Sequence, residues 1–146
     1  NGLGGGLTQG FFQADHGTGW ALGIDAACAF AVNGQILLFG GLPPSVDIAF
    51  HSLRVAGPAL VSAGRKDGRV TRLVIQALND GPLCLLNPFR TGDGVVKMSG
   101  TDGVRHDWSE AGERAPLRWD ARAGIIYEFC AESAQHQETP DHAQSK

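Results

Sequence analysis

The alternation of apolar and polar positions is clearest between residues 59 and 86. Thr71, Leu73, Ile75 and Ala77 fall on one side of an extended chain, and Val70, Arg72, Val74 and Gln76 on the other. A period of two predicts a half-buried strand over residues 70–77. A second apolar run, residues 59–64, precedes it, and Arg65-Lys66-Asp67-Gly68-Arg69 joins the two. Asp-Gly between such runs predicts a tight hairpin, because the turn requires positive φ at its central residues. Asn79-Asp80-Gly81-Pro82 then turns the chain into residues 83–86, which Asn87-Pro88 closes, since proline donates nothing to a ladder. The expectation is three strands in meander order.

Further strands are predicted over residues 34–40, between glycines, over 46–55 with a bend near His51-Ser52, and over 95–99 and 116–119. In a last one, 124–130, Ile125, Tyr127 and Phe129 alternate with Ile126, Glu128 and Cys130. One helix is predicted over residues 18–32, where Leu22, Ala26, Ala29 and Phe30 recur near helical spacing and Asn33-Gly34 supplies a stop. Gly23 inside it costs about 1 kcal/mol against Ala. Seven or eight short strands after one helix predict a mainly β fold, an antiparallel β-sandwich appended to a helical body. Asp102 to Glu110 gather polar groups around Trp108, which reads as an exposed loop between strands or as a carbohydrate-binding rim.

Composition agrees with that architecture. The 146 residues include 21 Gly and 7 Pro, enough length for a real core and the turn content of antiparallel construction. A net charge of −3 with scattered Lys and Arg leaves no basic footprint, so neither nucleic acid nor an anionic membrane is an expected partner. No apolar run is long enough to span a bilayer. Cys28, Cys84 and Cys130 lie in apolar contexts without Cys-x-x-Cys spacing and read as small buried hydrophobes. His residues lack ligand spacing, and no serine sits in a Gly-x-Ser-x-Gly elbow, so neither a metal nor nucleophilic hydrolase chemistry is expected, and no cofactor. The Gly17-x-Gly19-x-x-x-Gly23 spacing lacks the preceding strand and βαβ unit of a dinucleotide loop. The chain opens on Asn1 without Met or a signal-peptide pattern, the expectation for a piece of a longer product. Residues 132–146 are too polar to join a core and read as a disordered tail.

The order of these motifs resembles glycoside hydrolase family 95, the α-L-fucosidase type enzymes. The similar features are Phe12-Gln13-Ala14-Asp15 before a glycine-rich turn, an apolar helix, and residues 33–43 with their Gly-Gly-Leu-Pro end. Leu53-Arg54-Val55-Ala56-Gly57, the Lys66-Asp67-Gly68 hairpin and Gly81-Pro82-Leu83-Cys84 follow. The likeness covers about residues 11–89 and, more loosely, 117–129. It implies that residues 1–33 close an (α/α)6 catalytic barrel and that residues 34–131 form the C-terminal β-sandwich behind it. It also implies a glycoside or oligosaccharide substrate, the barrel of the same protein as partner, and a secreted or periplasmic location. Inverting glycosidases need one carboxyl to protonate the leaving oxygen and another to activate water. The resemblance places Asp15 as the general base, with its acid partner on an earlier barrel helix outside this chain. Where the family has Asn-Phe-Gly after the aspartate, this sequence has His16-Gly17-Thr18-Gly19-Trp20, a departure that leaves the sugar open.

From the residues alone, Asp15 caps the helix or accepts hydrogen bonds from the glycine loop, His16 is a solvated loop residue and Trp20 plugs a core. With the resemblance, Gln13, His16 and Trp20 become substrate contacts beside Asp15. Two function classes follow: the end of a glycosidase whose sandwich stabilises the barrel, or a non-catalytic sandwich module binding carbohydrate or protein by its own surface. The run from Ala21 to Val32 discriminates them, because a helix apolar on most faces expects neighbours.

Overall fold

The computed structural model describes residues 23–55, 59–90, 94–109 and 111–132. A short helix, α1 (23–28), leads into ten strands. These are β1 (Ala29–Val32), β2 (Gln35–Leu38), β3 (Ile48–Val55), β4 (Ala59–Lys66), β5 (Arg69–Ala77), β6 (Gly81–Leu86), β7 (Val95–Gly100), β8 (Arg105–Trp108), β9 (Pro116–Ala121) and β10 (Ile126–Glu132). They form a four-stranded sheet in the order β1-β2-β6-β9 and a six-stranded sheet in the order β3-β4-β5-β10-β7-β8. All pairings are antiparallel except β2 with β6. The mainly β, sandwich-like fold expected from the turn spacing is therefore present.

Turn chemistry sets the hairpins. Asp67 and Gly68, at φ 51° and 72°, close β4 onto β5 with Lys66 opposite Arg69, the two-residue turn that Asp-Gly predicts. Asn33 and Gly34, at φ 50° and 74°, do the same between β1 and β2, with Val32 opposite Gln35. The bend expected near His51-Ser52 is a bulge between Phe50 and Leu53, where Ser52 takes φ 51° and its N–H donates to Ser62 Oγ at 2.8 Å.

Three expectations need correction. Within the described residues the helix ends at residue 28, and Ala29–Val32 is a strand. The Ala-rich run has helical propensity, but the Asn33-Gly34 turn folds it onto β2, and pairing outweighs so weak a prior. The three-strand meander stops at two: β5 has β10 as its second neighbour, while β6 crosses to the other sheet, between β2 and β9. Leu83, Cys84 and Leu85 are all buried, and consecutive apolar positions suit an inner strand covered on both sides. Within the polar stretch 102–110, Arg105–Trp108 forms the edge strand β8 rather than loop, paired with β7 through its backbone whatever its side chains carry.

The core lies between the sheets. Val61, Leu73, Ile75, Val96, Met98, Tyr127 and Phe129 come from the six-stranded sheet; Ile36, Leu38, Leu83, Leu85, Leu117 and Trp119 come from the four-stranded one. Trp119 reaches across to Phe129, ring centroids 5.2 Å apart at 66°. Along β5 and β10 the alternation read from sequence is realised, with Leu73, Ile75, Ala77, Tyr127 and Phe129 buried.

Candidate functional site

The best-built depression among the described residues lies beside the β4–β5 hairpin, a pocket of about 220 Å³. Arg65 stands at its floor, only 8% exposed, just past the register shift between Gly64 and Arg65. Its Nη2 donates to Pro43 O at 2.6 Å and Val46 O at 3.1 Å, its Nε to Val46 O at 3.3 Å, and its guanidinium sits 4.9 Å from the centre of the Phe39 ring. Carbonyl dipoles and an aromatic face surround this charge, and no carboxylate of the described residues pairs with it. Arg90 and Arg114 also line the pocket and are exposed, as is Glu113. The Arg90 guanidinium lies against Gly68 at the hairpin tip: a Cβ there would come within 3.2 Å of Arg90 Cζ.

One buried side chain shapes the opposite wall. Asn87, 2% exposed, donates through Nδ2 to Gly112 O at 2.9 Å and Ala111 O at 3.2 Å, and its Oδ1 accepts from Phe89 N at 3.0 Å. Its backbone N–H donates to Ala115 O and its carbonyl accepts from Arg114 N, both at 2.9 Å. Asn87 thus clamps the 111–115 loop and holds Arg114 at the rim. Phe39 and Arg114 adopt φ 58° and 61°. Asn33 and Asp67 at positive φ belong to tight turns and Ser52 to a bulge. Arg114 is the third residue of a tight turn closed by Ala115 N donating to Gly112 O at 3.0 Å, and Phe39 opens the turn in which Leu42 N donates to Phe39 O at 3.1 Å; both residues line this pocket.

A shallower groove runs over the outer face of β7, β8 and β10, lined by Lys97, Ser99, Arg105, Asp107, Glu128, Cys130 and Glu132. Register places Lys97 between Asp107 and Cys130, and Ser99 between Arg105 and Glu128. Lys97 pairs with Glu132, whose hydrogen bond holds the ammonium above the usual lysine range. The Cys130 thiol is also pushed up, first by desolvation and then by the Glu132 carboxylate, with Lys97 opposing. Burial and Asp25 raise the Cys28 thiol. At the β8 edge His106 stacks on Trp108, ring centroids 5.6 Å apart at 20°, and Trp108 stacks in turn on Phe129 at 6.3 Å.

Gln13, Asp15, His16 and Trp20, singled out from sequence, lie outside the described residues. Of the cysteines, Cys28 and Cys84 are buried, as expected, whereas Cys130 is exposed on the outward side of β10. Among the described residues no group of three His, Cys, Asp or Glu side chains is placed to hold a metal, and no helix is long and apolar enough to cross a membrane. Sequence reading passed over Arg65, Asn87 and Arg114. Arginine is mostly a surface residue, and nothing local marks Arg65 as buried, since its partners lie 19 and 22 residues away. The Asn87-Pro88 strand stop was the only signal at the second. No protein-family model matches the chain, and neither does any curated protein.

Proposed function

We propose that the described sandwich is the supporting C-terminal part of a glycoside hydrolase that cleaves an O-glycosidic bond, an α-L-fucoside or a related glycoside, with inversion. In this reading Asp15 is the general base that activates water on the face of the sugar opposite the leaving oxygen. The general acid comes from a helical barrel, and the sandwich packs against that barrel and stabilises it. The observation that carries the reading is where apolar surface is left uncovered. Of the five exposed large hydrophobic residues among the described residues, three fall early: Ile24 on α1 at 52%, Val32 at the end of edge strand β1 at 47%, and Val46 before β3 at 37%. Exposed apolar side chains early in the described chain fit a neighbouring body that covers them. The order of elements, a short helix and then an antiparallel-rich sandwich, is the order the resemblance implies.

The test is hydrolysis of a panel of aryl α- and β-glycosides, including α-L-fucoside and α-L-galactoside, by this chain and by the longest gene product containing it. Turnover by the longer product with none by the chain supports the reading. Absence of turnover by both contradicts it and favours the second reading, a non-catalytic module binding carbohydrate by its own surface. The stacked His106–Trp108 pair on exposed edge strand β8 is what favours that alternative.

A further inference from the structure

We propose that the fork between β5 and β10 binds the carboxylate-bearing end of an extended peptide. The proposal goes beyond the glycosidase reading and does not depend on it. The two strands pair from Gln76–Ile126 to Leu73–Phe129 and no further. Each nevertheless runs on: β5 continues along β4 to Arg69 opposite Lys66, and β10 along β7 to Glu132 opposite Val95. The cause of the parting is local. Thr71 is an extra residue between the Gly64–Arg72 and Arg65–Val70 pairs, a bulge that bends β5 and ends its ladder with β10. A depression of about 250 Å³ occupies the opening, lined by residues 69–72 of β5, residues 129–131 of β10 and Phe89.

Backbone groups face this opening. Ala77 N–H donates to Ile125 O, and bonded pairs recur at every second position of an antiparallel ladder, so Leu73 and Phe129 form such a pair. Ala131 stands next in that series, and with no residue of β5 opposite, its N–H and C=O turn toward the opening. An extended chain brings its own N–H and C=O at strand spacing to such groups. Charge selects which part of the chain enters. Arg69 and Arg72 flank the opening, both are exposed, and neither forms an ion pair among the described residues. No carboxylate of the described residues lines it. A guanidinium takes a carboxylate through two parallel bonds. The buried rings of Phe89 and Phe129 supply an apolar seat for the ligand's last side chain. An apolar terminal residue with a free carboxylate meets the backbone groups, the cations and the rings together. The volume, below the roughly 300–1,000 Å³ of drug-sized sites, suits the last residues of a chain rather than a larger ligand.

The experiment is a ¹H–¹⁵N NMR titration of the whole chain at low ionic strength with three probes. They are a synthetic pentapeptide of alternating threonine and valine ending in a free valine carboxylate, the same peptide as its C-terminal amide, and sodium acetate. Saturable shifts centred on the Thr71, Arg72 and Ala131 amides are expected with the free acid. The amide and acetate should each bind at least about tenfold more weakly, since one lacks the charge and the other the strand. The titration is repeated on the variant carrying Arg69→Gln and Arg72→Gln, both exposed positions, whose unchanged spectral dispersion reports a retained fold. The free acid should bind this variant about tenfold to a hundredfold more weakly. No saturable shift with the free acid overturns the proposal. So does equal affinity for the amide, equal affinity for acetate, which would leave a simple anion site, or equal affinity in the double variant. Glycoside turnover is not measured in this experiment, so its failure leaves the glycosidase reading standing.

Discussion

The indole of Trp119 meets the phenol ring of Tyr127 edge to face across the two sheets, ring centroids 5.7 Å apart and planes at 64°. Tyr127 is fully buried, and its hydroxyl accepts from Arg122 N at 2.9 Å, tying the β9–β10 turn to the core. Trp119→Ala should therefore cost about 3–5 kcal/mol in denaturant unfolding, as aromatic truncations in packed cores do. Trp119→Phe should cost much less, because the indole Nε1 is buried with no partner among the described residues and its removal relieves an unsatisfied donor. A Trp119→Ala loss below about 1 kcal/mol would mean that the sheets do not pack through this pair.

Two glycines separate backbone strain from crowding. Gly34 and Gly68 both sit near φ +73° in two-residue hairpin turns, at 74° and 72°. A Cβ on Gly34 meets open space, whereas one on Gly68 runs into the Arg90 guanidinium and comes within 3.4 Å of Pro44 O. Gly34→Ala should destabilise by about 1 kcal/mol from φ strain alone, and Gly68→Ala by more. Thermal melts of the two variants side by side check this, and equal losses would show that Arg90 yields freely.

The Asn87 clamp predicts a stability cost far from any hydrophobic contact. Asn87→Ala leaves the Phe89 N–H and the Ala111 and Gly112 carbonyls without their side-chain partner. A loss of about 2–3 kcal/mol in equilibrium unfolding is expected, since buried polar groups left unpaired keep their desolvation cost.

How much of this was legible in sequence depended on how local each cause is. The Asp67-Gly68 turn, the Ser52 bend and the alternation along β5 and β10 were readable because neighbouring residues determine them. Strand β1 was misread as helix because Ala29-Phe30-Ala31-Val32 becomes a strand only through Ile36 and Leu37 across an Asn-Gly turn that also stops helices. The crossing of β6 and its parallel pairing with β2 join Ile36 to Leu85, a relationship no local pattern encodes. The arginine pocket was invisible for the same reason: Arg65, Arg90 and Arg114 are brought together from a hairpin, a strand exit and a loop.

Thiol reactivity should divide the cysteines. Cys130 is exposed, while Cys28 and Cys84 are buried. A raised thiol pKa means less thiolate at a given pH, so Cys130 alkylation should be slow at neutral pH and accelerate as pH rises through the thiol range. Glu132→Gln removes a carboxylate that raises the pKa and releases Lys97, which lowers it, so the same rate should appear at lower pH. Mass spectrometry of iodoacetamide-treated protein reads all three sites. Native-state modification of Cys84 as fast as that of Cys130 would contradict the packing of β6.

The glycosidase reading stands on Asp15 as the group that activates water. The most direct measurement is kcat on the best aryl glycoside of the longest gene product containing these residues, with Asp15 and with Asp15→Asn, an isosteric change that removes the base. A fall of about 10²–10⁴-fold is expected for loss of a positioned general base. Unchanged turnover in Asp15→Asn would contradict the assignment and with it the placement of this chain at the end of a catalytic barrel.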